Sequence, residues 1–97
     1  MEHEPLSDDV LDHLEALSSQ GSPKPWRSMV EGRDHISGDS FIQIGEGAHR
    51  LDDMFVSRDR GPADHADLDL IAAARNYLPD LIAELRRLRA GSRARDL

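Results

Sequence analysis

The densest group of chemically capable side chains lies in residues 32–40. This segment places His35 close to Asp34 and Asp39, and a histidine beside carboxylates can act as a general base or bind a metal ion. A small hydrolase or metal-binding protein using the Asp34–Ser40 loop is therefore one hypothesis. The same residue types are the ordinary constituents of turns, because Asp and Ser side chains bond the local backbone and Gly accepts positive φ. We favour the turn interpretation, since spacing alone does not assemble a catalytic group.

The remaining polar candidates have no spacing typical of a site. The five histidines lie ten or more residues apart, and they are His3, His13, His35, His49 and His65. No His-Glu-x-x-His or His-x-His pair occurs among them. Asp52 and Asp53 lack the spacing of a calcium loop, and Gly45-Glu46-Gly47 lacks the third glycine of a dinucleotide loop. The sequence assigns no catalytic, cofactor-binding or metal-ligating residue.

Composition and charge limit the class of protein. The 97 residues have a net charge of -7, 38% are hydrophobic and none is cysteine. We expect one small domain (residues 1–97, core about 7–89) with a thin core and flexible ends at 1–6 and 90–97. No apolar run approaches the roughly 20 residues of a membrane helix, and the acidic N-terminus is unlike a secretory signal. These features predict a cytoplasmic protein without membrane contact.

The charge is divided unevenly along the chain. Residues 1–70 contain six basic and sixteen acidic side chains, whereas residues 71–97 contain six arginines and three acids. A nucleic-acid-binding surface needs a broad basic face rather than a few late arginines. We therefore expect these arginines to complement a helix C-terminus and to support solubility, and we do not expect nucleic acid as a partner.

The elements that must position these residues give an α+β fold. Ser7 is a helix N-cap with Asp8 and Asp9 in the first turn, and the apolar stripe that follows is Val10, Leu11, Leu14 and Leu17. Gly21 and Pro23 end this helix. Alternation then predicts a three-stranded antiparallel sheet from the runs Trp26–Glu31, Phe41–Ile44 and Met54–Val56. A sheet of this size needs a helix across one face.

The C-terminal segment supplies that helix. Asp64 follows the Gly61-Pro62 breaker as a plausible N-cap, and the apolar positions at helical spacing are Leu68, Ile71, Leu78, Leu81, Ile82, Leu85 and Leu88. Pro79 lacks an N–H and its ring clashes one turn back, so we expect the helix to kink or to restart there, with Asn76 tolerating a left-handed turn. The first half is expected to cover the sheet.

The second half of this helix is a possible interface. Its apolar positions fit a short heptad pattern, and the candidate contact residues are Leu78, Leu81, Ile82, Leu85 and Leu88. Three heptads interrupted by proline make a poor free coiled coil, so part of the stripe is expected to pack within the chain. A homodimer, or a contact with another protein, is the partner hypothesis.

The order of these elements resembles small phage and prophage proteins of the Ead-like type and their actinobacterial relatives. The resemblance runs from Ser7 to Arg89 and is carried by the Pro25-Trp26 pair and the stretch Leu70-Ile71-Ala72-Ala73-Ala74-Arg75 with Leu78-Pro79-Asp80-Leu81. It implies an accessory or interaction role and carries over no catalytic residue. The favoured function is therefore a non-enzymatic phage-type accessory protein acting through protein contacts. Besides the enzyme hypothesis above, an acidic inhibitor or immunity-type protein is the alternative.

Overall fold

The computed structural model describes residues 5–96, with side chains for residues 5–92, and has an α+β fold. Its elements are helix α1 (Asp8–Gln20), strands β1 (Trp26–Met29) and β2 (Phe41–Ile44), a 3-10 turn (Gly47–His49), strands β3 (Ser57–Arg58) and β4 (Gly61–Pro62), and helix α2 (His65–Asp96). Two compact units emerge. The helical unit comprises the chain up to Gly21 and from Tyr77 onward, and the sheet unit comprises Ser22–Asn76.

Helix α1 begins and ends at the predicted residues. The Ser7 side chain accepts a hydrogen bond from the Val10 N–H at 3.2 Å, which satisfies one of the first donors of the helix. At the other end the Gly21 N–H donates to the Leu17 carbonyl at 3.0 Å. Leu11 is the buried residue of this helix. Local capping chemistry therefore sets both boundaries.

Helix α2 is continuous through Pro79. It begins after Asp64, whose carbonyl accepts from the N–H groups of Asp67 and Leu68 at 3.1 Å each. The predicted restart is wrong, because proline removes one donor while the surrounding turns keep theirs. The predicted left-handed turn at Asn76 is also wrong, since no described residue other than glycine has positive φ. The helix continues beyond Arg89 to Asp96, over most of the predicted flexible end.

Two predictions about the chain are not decided by these elements. The bend at Pro79 and the single-domain organisation stay predictions. Of the expected flexible N-terminus, residues 1–4 lie outside the described residues, as does Leu97 at the other end. No helix in the part of the chain that the structure describes is long and apolar enough to cross a membrane.

The predicted three-stranded sheet is replaced by two sheets of two strands. Strands β1 and β2 pair antiparallel with Trp26 opposite Ile44, and β3 and β4 form a separate small hairpin. Only Met54 of the expected third strand pairs with β2, exchanging two backbone hydrogen bonds with Ile42 at 2.8 and 2.9 Å. The Val56 carbonyl instead accepts from the Ala63 N–H. The chain leaves the first sheet after one bridge because its next backbone partners lie beside the hairpin.

The core of the sheet unit lies between β2 and the first turns of α2. It contains Ile42, Ile44, Ala63 and Leu68, with Trp26, Met54, Val56 and Ile71 packed around them. Asn76 extends this contact, because its side-chain oxygen accepts from the Trp26 N–H and its amide nitrogen donates to the Trp26 carbonyl, both at 2.7 Å. The Asn76 side chain thus forms hydrogen bonds with the backbone N–H and carbonyl of Trp26, as a neighbouring strand would. The expected packing of the first half of α2 on the sheet is confirmed.

Candidate interaction surface

Asp34, the first of the predicted polar-site residues, supports the backbone of its own loop. Its Oδ2 accepts from the Val30 N–H at 2.8 Å and from the Arg33 Nε at 3.0 Å. The pKa of Asp34 is lowered, chiefly by the hydrogen bond from the Val30 N–H and further by the Arg33 guanidinium. The carboxylate is therefore held ionised as a turn anchor.

His35 and Asp39, the other two candidates, do not join Asp34 in one cluster. The His35 Nδ1 lies 2.8 Å from the Ser37 carbonyl oxygen and its Nε2 lies 3.2 Å from the Met29 carbonyl oxygen. Both ring nitrogens thus face the backbone, and a neutral ring can donate only one of these hydrogen bonds. Asp39 is exposed. Among the described residues, no group of three or more His, Asp and Glu side chains is placed to hold a metal ion.

A charged cluster that sequence reasoning missed fixes this loop to α2. Two nitrogens of the Arg33 guanidinium donate to the two carboxylate oxygens of Asp69, each at 2.9 Å, and Ser28 also donates to Asp69. These bonds lower the pKa of Asp69, the Arg33 bond most and the Ser28 bond next, and they raise the pKa of Arg33. Arg33 and Asp69 are 36 positions apart, so spacing gave no signal for the pair. The arrangement ties the loop to α2.

One concave surface of the sheet unit is an open depression. It measures about 810 Å³ and is lined by Ser22, Ile44, Arg50, Leu51, Asp52, Asp53 and Met54. Arg50 donates to Asp53 across this surface at 2.8 Å. One of the two adjacent aspartates noted in the sequence, Asp53, therefore pairs with a neighbouring arginine.

The five predicted interface residues divide into three groups in the helical unit. Leu81 and Leu88 are 63% and 54% exposed, Leu78 and Leu85 are half-buried, and Ile82 is 4% exposed. Ile82 therefore belongs to the interior of the unit. Leu81 and Leu88 are one heptad apart on α2 and remain open to a partner.

Helix α1 packs antiparallel to the second half of α2 through a line of ion pairs. The Arg86 guanidinium lies 2.8 Å from an Asp12 oxygen and 3.4 Å from a Glu15 oxygen. Nearer the end of α2, Arg89 donates to Asp8 at 3.2 Å and to the Leu6 carbonyl at 2.6 Å. Later residues of α2 thus meet earlier residues of α1. The pKa of Arg86 is raised chiefly by its hydrogen bond to Asp12.

Both helices carry exposed apolar residues at the same positions relative to their buried residue. In α1, Val10 lies one residue before the buried Leu11 and Leu17 lies six residues after it. In α2, Leu81 and Leu88 have the same spacing relative to the buried Ile82. At 3.6 residues per turn, both steps rotate the side chain by about 100–120° in the same sense. The helices are antiparallel, and we infer from the burial of Leu11 and Ile82 that these residues mark the sides on which the helices pack. Equal rotations then place both stripes on the same side of the pair.

We define the apolar face as Val10, Leu14, Leu17, Leu81, Leu85 and Leu88, where Leu14 and Leu85 are half-buried. The contribution of α1 was not predicted, because it depends on the pairing of two segments separated by the whole sheet unit. The signal was present as the repeated spacing of Val10 and Leu17. The opposite edge of the pair carries the ion pairs.

Three of the five late arginines form ion pairs within the helical unit. Arg86 and Arg89 pair with α1, and Arg87 pairs with Glu84 one turn earlier on α2. The side chains of Arg93 and Arg95 lie outside the described residues. Three of the five arginines that were expected to act at the helix end and in solubility thus have specific ion-pair partners.

Comparison of the chain with protein-family models, curated proteins and solved structures finds no match. The resemblance to Ead-like phage proteins therefore stays a prediction from the sequence.

Proposed function

We propose that the protein is non-enzymatic and acts through protein–protein contacts made by the apolar face. The supporting observation is the exposure of Val10 at 39%, Leu17 at 50%, Leu81 at 63% and Leu88 at 54% on one side of a helix pair. Contiguous exposed apolar side chains on a soluble domain are typical of interaction surfaces. The sequence resemblance, which implies a phage- or prophage-type accessory role, favours the same interpretation.

The energetics of burial support a contact of modest strength. Fully burying a leucine or valine side chain contributes about 1.5–3 kcal/mol, so covering these half-exposed residues contributes about 1 kcal/mol each. Four such contributions must offset the loss of translational and rotational freedom on association. A single Asp on this surface would therefore remove a large share of the affinity, since it would also bury an unpaired charge.

The contacts of the Asp34–Ser40 loop favour the non-enzymatic interpretation over a hydrolase or metal-binding protein. Asp34 is bonded to Val30 and Arg33, and both ring nitrogens of His35 face backbone carbonyls. A general base needs a lone pair directed toward a substrate. An acidic inhibitor remains the alternative within the class of binding proteins, and the same experiment addresses it.

The test is photo-crosslinking in the native host from a benzophenone side chain placed at Leu81, compared with one placed at Ala83. Both positions are exposed and lie two residues apart on α2, but Ala83 points away from the apolar face. We expect a protein adduct from position 81 that is absent from position 83 and is lost when Leu88→Asp is added. No adduct from either position, or equal adducts from both, would contradict the proposed function.

A further inference from the structure

We propose that the apolar face binds a second copy of this chain, with a twofold axis parallel to the helices, so that α1 of each copy covers α2 of the other. This inference rests on the proposed function, because it requires the apolar face to be a binding surface. It adds the identity of the partner and the order in which the four helices pack. Three observations carry it, namely the level of the apolar residues, the charge of the two helices and the residues at the rim.

The apolar residues of the two helices lie at matching levels, where a level is a position along the common direction of the helix axes. Arg86 meets Asp12 and Glu15, and Arg89 meets Asp8, which fixes the antiparallel register. Stepping along the helices from these contacts gives three levels, which are Leu17 with Leu81, Leu14 with Leu85, and Val10 with Leu88. A twofold axis parallel to the helices keeps every residue at its level. Two copies would then form three four-residue apolar layers, the core arrangement of a four-helix bundle.

The charges of the two helices select this axis over the alternative. Helix α1 contains four acidic residues and no lysine or arginine, whereas residues 77–92 of α2 contain three arginines and two acids. Ion pairs within one copy join part of these groups, and α1 keeps an excess of negative charge. The parallel axis places each acidic helix over the helix of the other copy that carries the arginines. The alternative is a twofold axis perpendicular to the helices, which we call the crossed axis. It would instead pack α1 on α1 and bring like charges together. Complementary charge across an interface favours the first arrangement.

The residues at the rim of the apolar face agree with this choice. His13 on α1 and Glu84 on α2 are exposed, flank their stripes on the outer side and lie at nearly the same level. The parallel axis brings His13 of one copy toward Glu84 of the other. The crossed axis would bring each residue toward its own symmetry mate, so that no contact between His13 and Glu84 would form.

The size of the face indicates a reversible dimer. Helix α1 has 13 residues and is therefore about 20 Å long, and a pair of helices is about 20 Å wide, so the shared face is about 400 Å². A standard interface buries about 800 Å² on each partner. Association should therefore depend on concentration, and it should be followed from about 10 μM to about 1 mM, the range of dissociation constants expected of small interfaces.

Cysteine crosslinking tests the arrangement, because the chain contains no cysteine. Chains carrying Leu17→Cys and Leu81→Cys, one of them tagged, are mixed and mildly oxidised, and Leu14→Cys and Ala83→Cys chains are oxidised separately. A disulfide requires Cα atoms within about 4.4–6.8 Å. The parallel axis predicts that the mixed 17–81 disulfide exceeds either homodisulfide by at least about tenfold, the ratio that a preference of about 1.4 kcal/mol produces. Circular dichroism of each variant confirms that it is folded.

Two results would overturn the inference. A dominant Leu14→Cys homodisulfide would indicate α1 on α1, and a 17–81 yield no higher than that of Ala83→Cys would indicate no such dimer. The crosslinking from position 81 described above separates this failure from that of the proposed function. An adduct with the mass of two chains supports the second copy, whereas an adduct with another protein refutes the second copy and leaves the proposed function standing.

Discussion

At the residue scale, the polar side chains of the sheet unit act as ties between distant parts of the chain. Arg33 joins Asp34 in its own loop to Asp69 on α2, and Asn76 satisfies both backbone groups of Trp26. The sequence indicated that Asp34 belonged to a turn, and the hydrogen bond from Val30 agrees with that interpretation. It could not indicate the role of Asn76, because the partner is 50 positions away. Side chains whose partners are local are the ones that a sequence predicts.

The Arg33–Asp69 pair predicts a pH dependence of stability. The pKa of Asp69 is lower in the folded chain than the value of about 3.9 expected when unfolded, so ionised Asp69 stabilises the fold above about pH 4. This contribution is lost as the pH falls through the lowered folded pKa. In urea unfolding followed by Trp26 fluorescence, the deficit of Asp69→Asn relative to the wild type should be largest near neutral pH and should shrink below about pH 4.

The matched control for this experiment is Asp39→Asn. Asp39 is an exposed aspartate outside the Arg33 cluster, and the substitution removes the same charge. Its unfolding free energy should stay close to the wild-type value from neutral pH down to about pH 3. A deficit of Asp69→Asn that is constant with pH, or equal to that of Asp39→Asn, would show that the ion pair does not stabilise the fold.

At the scale of elements, boundaries set by local chemistry are predicted well and those set by pairing are not. Helix α1 begins after the Ser7 cap and β2 spans Phe41–Ile44, as expected from the sequence. Met54–Val56 has the composition of a strand, yet only Met54 pairs with β2, because Val56 bonds to Ala63 beside the hairpin. Pro79 is the clearest case of context overriding a local rule, since α2 continues through it.

Replacing Pro79 should therefore stabilise α2. Alanine at this position supplies the missing N–H and removes the ring that clashes one turn back, and interior proline costs about 3 kcal/mol relative to alanine. We expect Pro79→Ala to raise the free energy of unfolding by about 1–3 kcal/mol in urea denaturation. Pro79→Gly restores the N–H without the helix preference of alanine, so its gain should be smaller by about 1 kcal/mol. A Pro79→Ala chain no more stable than the wild type would contradict a continuous helix.

At the scale of the whole molecule, the chain has a net charge of -7 and a helical unit in which acidic α1 meets arginine-rich α2. The sequence alone predicted the α2 part of the apolar face through Leu81 and Leu88. It predicted neither the α1 part nor the burial of Ile82, because both follow from the packing of two helices that are far apart in the chain. The pairing converts two narrow stripes into one surface.

The most direct test of the dimer through the apolar face is the molecular mass in solution, measured by sedimentation equilibrium as the concentration rises. The wild type should approach twice the chain mass of 10.8 kDa, whereas Leu81→Asp/Leu88→Asp should stay at 10.8 kDa with its helix content unchanged. The matched control, Ala83→Asp/Ala90→Asp, adds the same charges at the same spacing on exposed positions away from the face. Its dimer dissociation constant should exceed that of the wild type by less than about threefold. A wild type of 10.8 kDa at every concentration, or a leucine variant that dimerises as well as the alanine variant, would contradict the account.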